Sequence, residues 1–164
     1  MRNTVYAECS RDVVLLSARI LMMLLFVIFG WQKLTGYDGT VAYFTQANVP
    51  LPALSAVIAI IVELGAGAAI VLGIFTRPVA VLLAIYTLAT ALLGHHYWTM
   101  SGLARTAGEI NFFKNVSIMA GLLLLYLTGA GRFSIDARFD LDWRGVFGLT
   151  PPGASVPPRA GSGD

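Results

Sequence analysis

The chain has 164 residues, enough for one ordinary domain, with 57% hydrophobic and only 12% charged residues. Soluble domains carry about 25% charged residues, so the composition points to a membrane protein. A formal net charge of +2 is too small to suggest nucleic-acid binding, and the single cysteine, Cys9, excludes an internal disulfide or a cysteine-based metal site within one chain.

Glu8, Arg11 and Asp12 precede the first apolar run, and no small-residue cleavage site follows it cleanly. That run therefore reads as a retained span rather than a signal. A span needs roughly 17–25 mostly apolar residues. Four segments meet this, at about 13–34, 52–75, 78–98 and 111–128, predicting an all-α, four-transmembrane-helix bundle over residues 13–131. Residues 1–12 precede it as an N-terminal segment. Arg77-Pro78 makes the second and third spans a tight hairpin, because proline suits the first turn of a helix.

The first connecting loop, 35–51, is rich in Val, Tyr and Phe, and Asp38 is placed to cap a short interfacial helix running through Asn48. Residues 132–150 read as a juxtamembrane segment, and 151–164, PPGASVPPRAGSGD, as a disordered tail. Seven arginines flank the termini and the turn between the second and third spans; Lys33, Arg105 and Lys114 flank the other ends. The positive-inside rule then puts both termini in the cytoplasm.

Two charges fall inside spans. Glu63 lies about 11 residues into the second span, roughly 16 Å deep at 1.5 Å per residue. Arg19 lies about 15 residues from the outer end of the first, roughly 22 Å deep. An Arg19–Glu63 pair is therefore feasible, whereas Lys33 sits too near the outer surface to reach Glu63 easily. Such a pair is either a lock between two helices or a proton- or ligand-handling site. Gly65, Ala69 and Gly73 form a small-residue stripe that suits close helix approach, within the chain or between copies.

A second polar group gathers at the outer end: Gln32, Lys33, His95, His96, Asn111, Lys114 and Asn115, with aromatic neighbours Trp31, Tyr97, Trp98, Phe112 and Phe113. The bland reading is water-bathed interfacial residues; the sharper one is a pocket for the head of a quinone or another amphipathic ligand. Adjacent helix residues diverge by about 100°, so His95 and His96 do not grip one metal together. No histidine stands elsewhere to serve a haem, and no metal site is expected. No nucleotide-binding loop, nucleophile elbow or cysteine pair is present.

The segments RILMMLLFVIFGWQKL, VPLP, ELGAGAAIVLGIFTRPVA, GHHYW, NFFKN and GAGRFSIDA, in this order from about Leu16 to Arg138, resemble the DoxX family of small bacterial inner-membrane proteins. The resemblance implies a four-helix membrane bundle. It also implies a redox-linked role, because the family's name comes from a subunit linked to a terminal quinol oxidase. Related proteins are similar to thiosulfate–quinone oxidoreductase subunits, and some members associate with redox-stress enzymes. By carry-over, Arg19, Lys33, Glu63, Asn111, Lys114 and Asn115 occupy the family's polar positions.

With no intrinsic cofactor expected, any electron transfer would use a quinone or a partner subunit. The leading expectation is an accessory subunit or membrane anchor in redox homeostasis that binds a quinone or lipid. The alternatives are a quinone-reactive oxidoreductase subunit and a small proton-coupled transporter acting as an oligomer. The expected partners are the bilayer, redox enzymes and a second copy of the chain, and no nucleic acid.

Overall fold

A computed structural model describes residues 2–139, with side chains from Ser10 onward. The expected tail at 151–164 and the juxtamembrane residues from 140 onward lie outside the described residues. Among the described residues, six α-helices follow in chain order: α1 (Arg2–Thr35), α2 (Tyr37–Gln46), α3 (Pro52–Leu72), α4 (Thr76–Gly94), α5 (Gly102–Thr128) and α6 (Ile135–Arg138). Four of them, α1, α3, α4 and α5, are long and apolar enough to cross a membrane. The all-α four-span architecture expected from the sequence is the architecture found.

Each span buries one narrow stripe. On α1 the buried positions are Asp12, Arg19, Met23, Phe26 and Gly30, recurring at helical intervals. Met23 and Phe26 join Ala66 and Ile70 of α3, Ala80, Leu83 and Ala84 of α4, and Leu122 and Leu125 of α5 in one core. The opposite faces keep large apolar side chains outward, among them Leu21, Ile61, Ile85 and Leu124. In water that surface would be a liability; in a bilayer it is the lipid contact.

Helices in lipid gain little from hydrophobic exclusion, so close packing must hold them together. Two glycines allow it between α1 and α3. A Cβ on Gly30 would lie 3.0 Å from Glu63 Cβ, and one on Gly67 3.3 Å from Val27 Cγ2. The expected stripe behaves differently: a Cβ on Gly65 would meet nothing within 4 Å. Gly73 ends α3 in the left-handed conformation, φ +69°, against Arg19 and Ser134. Within the chain, the three residues are thus not one packing face.

α3 carries one turn of π-helix, Val62–Ala66. It falls on the sequence VELGAG, where two glycines supply low helix propensity. Ala66 and Gly67 are both buried there. π-Turns recur at functional sites, and this one contains Glu63.

Several boundaries differ from the expected ones. α3 stops at Leu72 because Gly73 turns the chain, and Ile74 and Gly73 donate backwards to Ala69 O and Ile70 O at 2.8 and 3.1 Å. α5 begins at Gly102, well before its apolar run, because helical hydrogen bonding outlasts the hydropathy signal. α2 runs Tyr37–Gln46 with Gly36 as its N-cap; Asp38 lies in the first turn and makes no cap hydrogen bond.

The segment after α5 closes the end of the bundle where α5 finishes and α4 begins. Asp136 accepts from Phe75 N and Thr76 N at 2.8 and 2.9 Å, capping α4 from outside its own helix. In return, Asp136 N donates to Gly73 O at 2.8 Å. Arg132 N donates to Asp12 Oδ1 at 3.1 Å, and Arg77 Nη1 donates to Tyr126 O at 2.9 Å.

Candidate functional site

Glu63 is buried and its carboxylate is shared by two donors. Lys33 Nζ donates to Oε2 at 2.7 Å, and Tyr86 OH donates to Oε1 at 2.7 Å. The network ties α1, α3 and α4 together. Lys33 Nζ also stands 5.7 Å from the centroid of the Phe29 ring, within cation–π range.

Lys33, not Arg19, is therefore the partner of Glu63, and the reason is axial. Gly30 touches Glu63 and Leu64, so these residues are level. Gly30 lies about five residues before the end of α1, roughly 7 Å in, while Glu63 lies about 11 residues, roughly 16 Å, into α3. α3 thus begins roughly 9 Å beyond the end of α1. The expected Arg19–Glu63 pair requires level ends. Lys33 is one turn from Gly30 on the same helix face, and its stem reaches back to the carboxylate.

Arg19 stands about 11 residues from Gly30, roughly 16 Å along the axis from Glu63. Its Nη2 donates instead to Phe133 O in the closing segment. Its guanidinium is fully buried, and its Nε and Nη1 have no protein partner among the described residues. Arg19 belongs to the terminal end of the bundle, away from the carboxylate.

The Glu63 network borders a cavity of about 680 Å³ in the other half of the bundle. Of the polar residues singled out from the sequence, Gln32, Lys33, Glu63, His95, Asn111, Lys114 and Asn115 all line it, and Arg19 and His96 do not. Lys114 Nζ donates to Asn111 Oδ1 at 2.7 Å. Asn115, buried on the next turn of the same face, lines the cavity too.

The two histidines diverge, but not by helical spacing: both lie beyond Gly94, the last residue of α4. His95 faces the cavity. His96 sets its Nδ1 3.1 Å from Leu93 O and its ring 6.3 Å from that of Trp98.

The apolar wall is not the expected one. Phe26 and Phe29 of α1, Tyr43 and Phe44 of α2, and Ile58 and Leu93 supply it. Tyr97, Trp98, Phe112 and Phe113 pack on one another instead, with ring centroids 5.4 to 6.3 Å apart. α2 is part of the site: Gly39, Thr40, Tyr43 and Phe44 form one wall, and Tyr37 OH donates to Ala53 O at 3.1 Å, tying α2 to α3.

Sequence reasoning missed Tyr86, Thr87 and Thr90 of α4. Thr87 and Thr90 satisfy their hydroxyls on Leu83 O and Thr87 O. The available signal was spacing: Leu83, Tyr86, Thr87 and Thr90 fall on one helical face.

A bundle of four membrane spans, holding a cavity with a partly buried lysine–glutamate–tyrosine network at its inner edge, defines the class of this protein. Its relatives place it more closely. Residues 14–96 match the DoxX family, and the chain belongs to that family. It is 53% identical over 129 residues to inner membrane protein YphA of Escherichia coli, covering 79% of this chain and 92% of that one. It is 43% identical over 132 residues to inner membrane protein YqjF of the same organism, covering 80% and 96%. A more distant likeness, 28% over 129 residues, is to the ER-derived vesicles protein ERV29 of Saccharomyces cerevisiae, of which it covers 34%. No solved structure matches.

Proposed function

We propose that this protein is an accessory inner-membrane subunit that holds the polar head of an amphipathic molecule, a quinone or a lipid, in the cavity beside Glu63. The observation that carries this reading is the joining of a charged hydrogen-bonding network to an apolar-walled cavity inside a membrane bundle. Ionisable groups within a membrane are costly, which makes Glu63 a candidate for a ligand or ion site. Lys33 Nζ has three hydrogens, and Glu63 takes one. The others can meet a ligand carbonyl. Phe26, Phe29 and Ile58 suit a ring or the start of a tail.

The redox part of the reading comes from the family resemblance. The protein serves as an anchor or subunit for redox enzymes, with both termini cytoplasmic as the arginine distribution suggests. The cavity then opens towards the opposite side of the membrane.

The test is saturable binding of a decyl-tailed quinone to the purified protein in lipid nanodiscs, followed by tryptophan quenching and native mass spectrometry for retained lipid. Binding of either ligand, weakened at least tenfold in folded Glu63→Gln and Lys33→Met variants, is expected. A cavity that takes up neither quinone nor lipid would remove the reading.

A further inference from the structure

We infer that the cavity selects an amphiphile whose head group carries a negative charge, a carboxylate or a phosphate, over a neutral one. The inference rests on the proposal that the cavity is an amphiphile site, and it names the class of ligand.

Charge accounting within the cavity carries it. Three lining side chains are formally charged: Lys33, Glu63 and Lys114. Lys33 and Glu63 neutralise each other at 2.7 Å. Lys114 has only a neutral partner among the described residues, Asn111 Oδ1 at 2.7 Å. The cavity therefore holds one positive charge in excess. An ammonium facing a partly buried, apolar-walled space lacks much of the solvation that water would give it, and the field of an unneutralised charge grows as the local dielectric falls. A single negative charge entering the cavity restores neutrality.

A second, independent observation points the same way. Asn115 is 8% exposed and lines the cavity, and its side chain makes no hydrogen bond among the described residues. Buried amides are normally satisfied. Its NH₂ lies one helical turn from Asn111 and beside Lys114 in sequence, so an amide donor and an ammonium come from one segment of α5. His95 faces the same space from the end of α4. An acceptor-only head group such as a carboxylate or phosphate matches a set of donors, whereas an alcohol or ester leaves the ammonium uncompensated. Lys114 is distinct from the Lys33–Glu63 pair, so the preference can be removed without breaking that network.

The experiment uses the full chain in phosphatidylcholine nanodiscs, titrated with palmitate and with methyl palmitate, which share a tail and differ in charge. Palmitate is expected to bind saturably and at least tenfold more tightly than the ester. Lys114→Gln is expected to abolish that difference, and Lys114→Arg to keep it. The unfolding midpoint of each variant certifies the fold. Addition of phosphatidylglycerol separates the two sources of such a head group. Displacement of palmitate assigns the site to a membrane phospholipid, and retention assigns it to a free carboxylate.

Equal binding of palmitate and its ester to the unaltered protein would overturn the inference and leave amphiphile binding standing. Binding of neither would overturn both. A palmitate preference that survives intact in a folded Lys114→Gln protein would also overturn the assignment to Lys114.

Discussion

The partner of Glu63 can be settled by two double-mutant cycles run side by side. In the first, Lys33→Met and Glu63→Gln are made singly and together. Two short contacts meet on one buried carboxylate, at 2.7 Å each. Hydrogen bonds to charged groups contribute about 1.5–3 kcal/mol. The Lys33 side chain is 22% exposed, which moves the expectation toward the lower part of that range. Contacting residues couple by about 0.5–3 kcal/mol, so a Lys33–Glu63 coupling of about 1.5–2 kcal/mol is expected. Lys33→Met alone should cost more than the double variant, because it leaves a buried carboxylate without its cation.

In the second cycle, Arg19→Met and Glu63→Gln should be additive to within about 0.5 kcal/mol, as residues more than about 7–10 Å apart usually are. The assay is reversible SDS unfolding in mixed micelles, followed by circular dichroism. A coupling larger for Arg19 than for Lys33 would refute the axial stagger of α1 and α3. Vanishing coupling in both cycles would refute the ion pair itself.

Two further outcomes follow from packing and capping. Gly30→Ala should destabilise by about 1–2 kcal/mol, since its Cβ would stand 3.0 Å from Glu63 Cβ. Gly65→Ala, with nothing within 4 Å, should be neutral or stabilising by up to about 1 kcal/mol. The same SDS midpoints measure both, and equal losses at the two sites would contradict the packing described here. Asp136→Ala should cost about 1 kcal/mol, with a ceiling of about 2 kcal/mol, because it frees two amides at the start of α4. Limited proteolysis should then cut faster around 73–76, and an unchanged cleavage rate would count against the cap.

Much of the site was legible in the residues. Polar side chains at the ends of apolar runs pointed to Gln32, Lys33, His95, Asn111, Lys114 and Asn115, and one cavity gathers all six. Their order along the chain sufficed, because a four-span bundle with short connections brings those ends to one side. Tyr86 escaped because its spacing with Thr87 and Thr90 marks a shared helical face but does not say what that face meets. The role of α2 escaped because aromatic residues in a loop are equally consistent with a membrane surface and with a cavity wall.

The sequence alone determined the class of the protein, its four spans and its family, because hydrocarbon permits only helices with satisfied backbones and demands long apolar runs. It also pointed to two of the buried charges, Arg19 and Glu63, but not to Asp12. Only the tertiary structure decided how those charges pair. Pairing depends on the axial offset of neighbouring helices, and that offset is set by a few contacts. Gly30 against Glu63, Gly67 against Val27, and the closing segment against Arg19 together hand the carboxylate to Lys33.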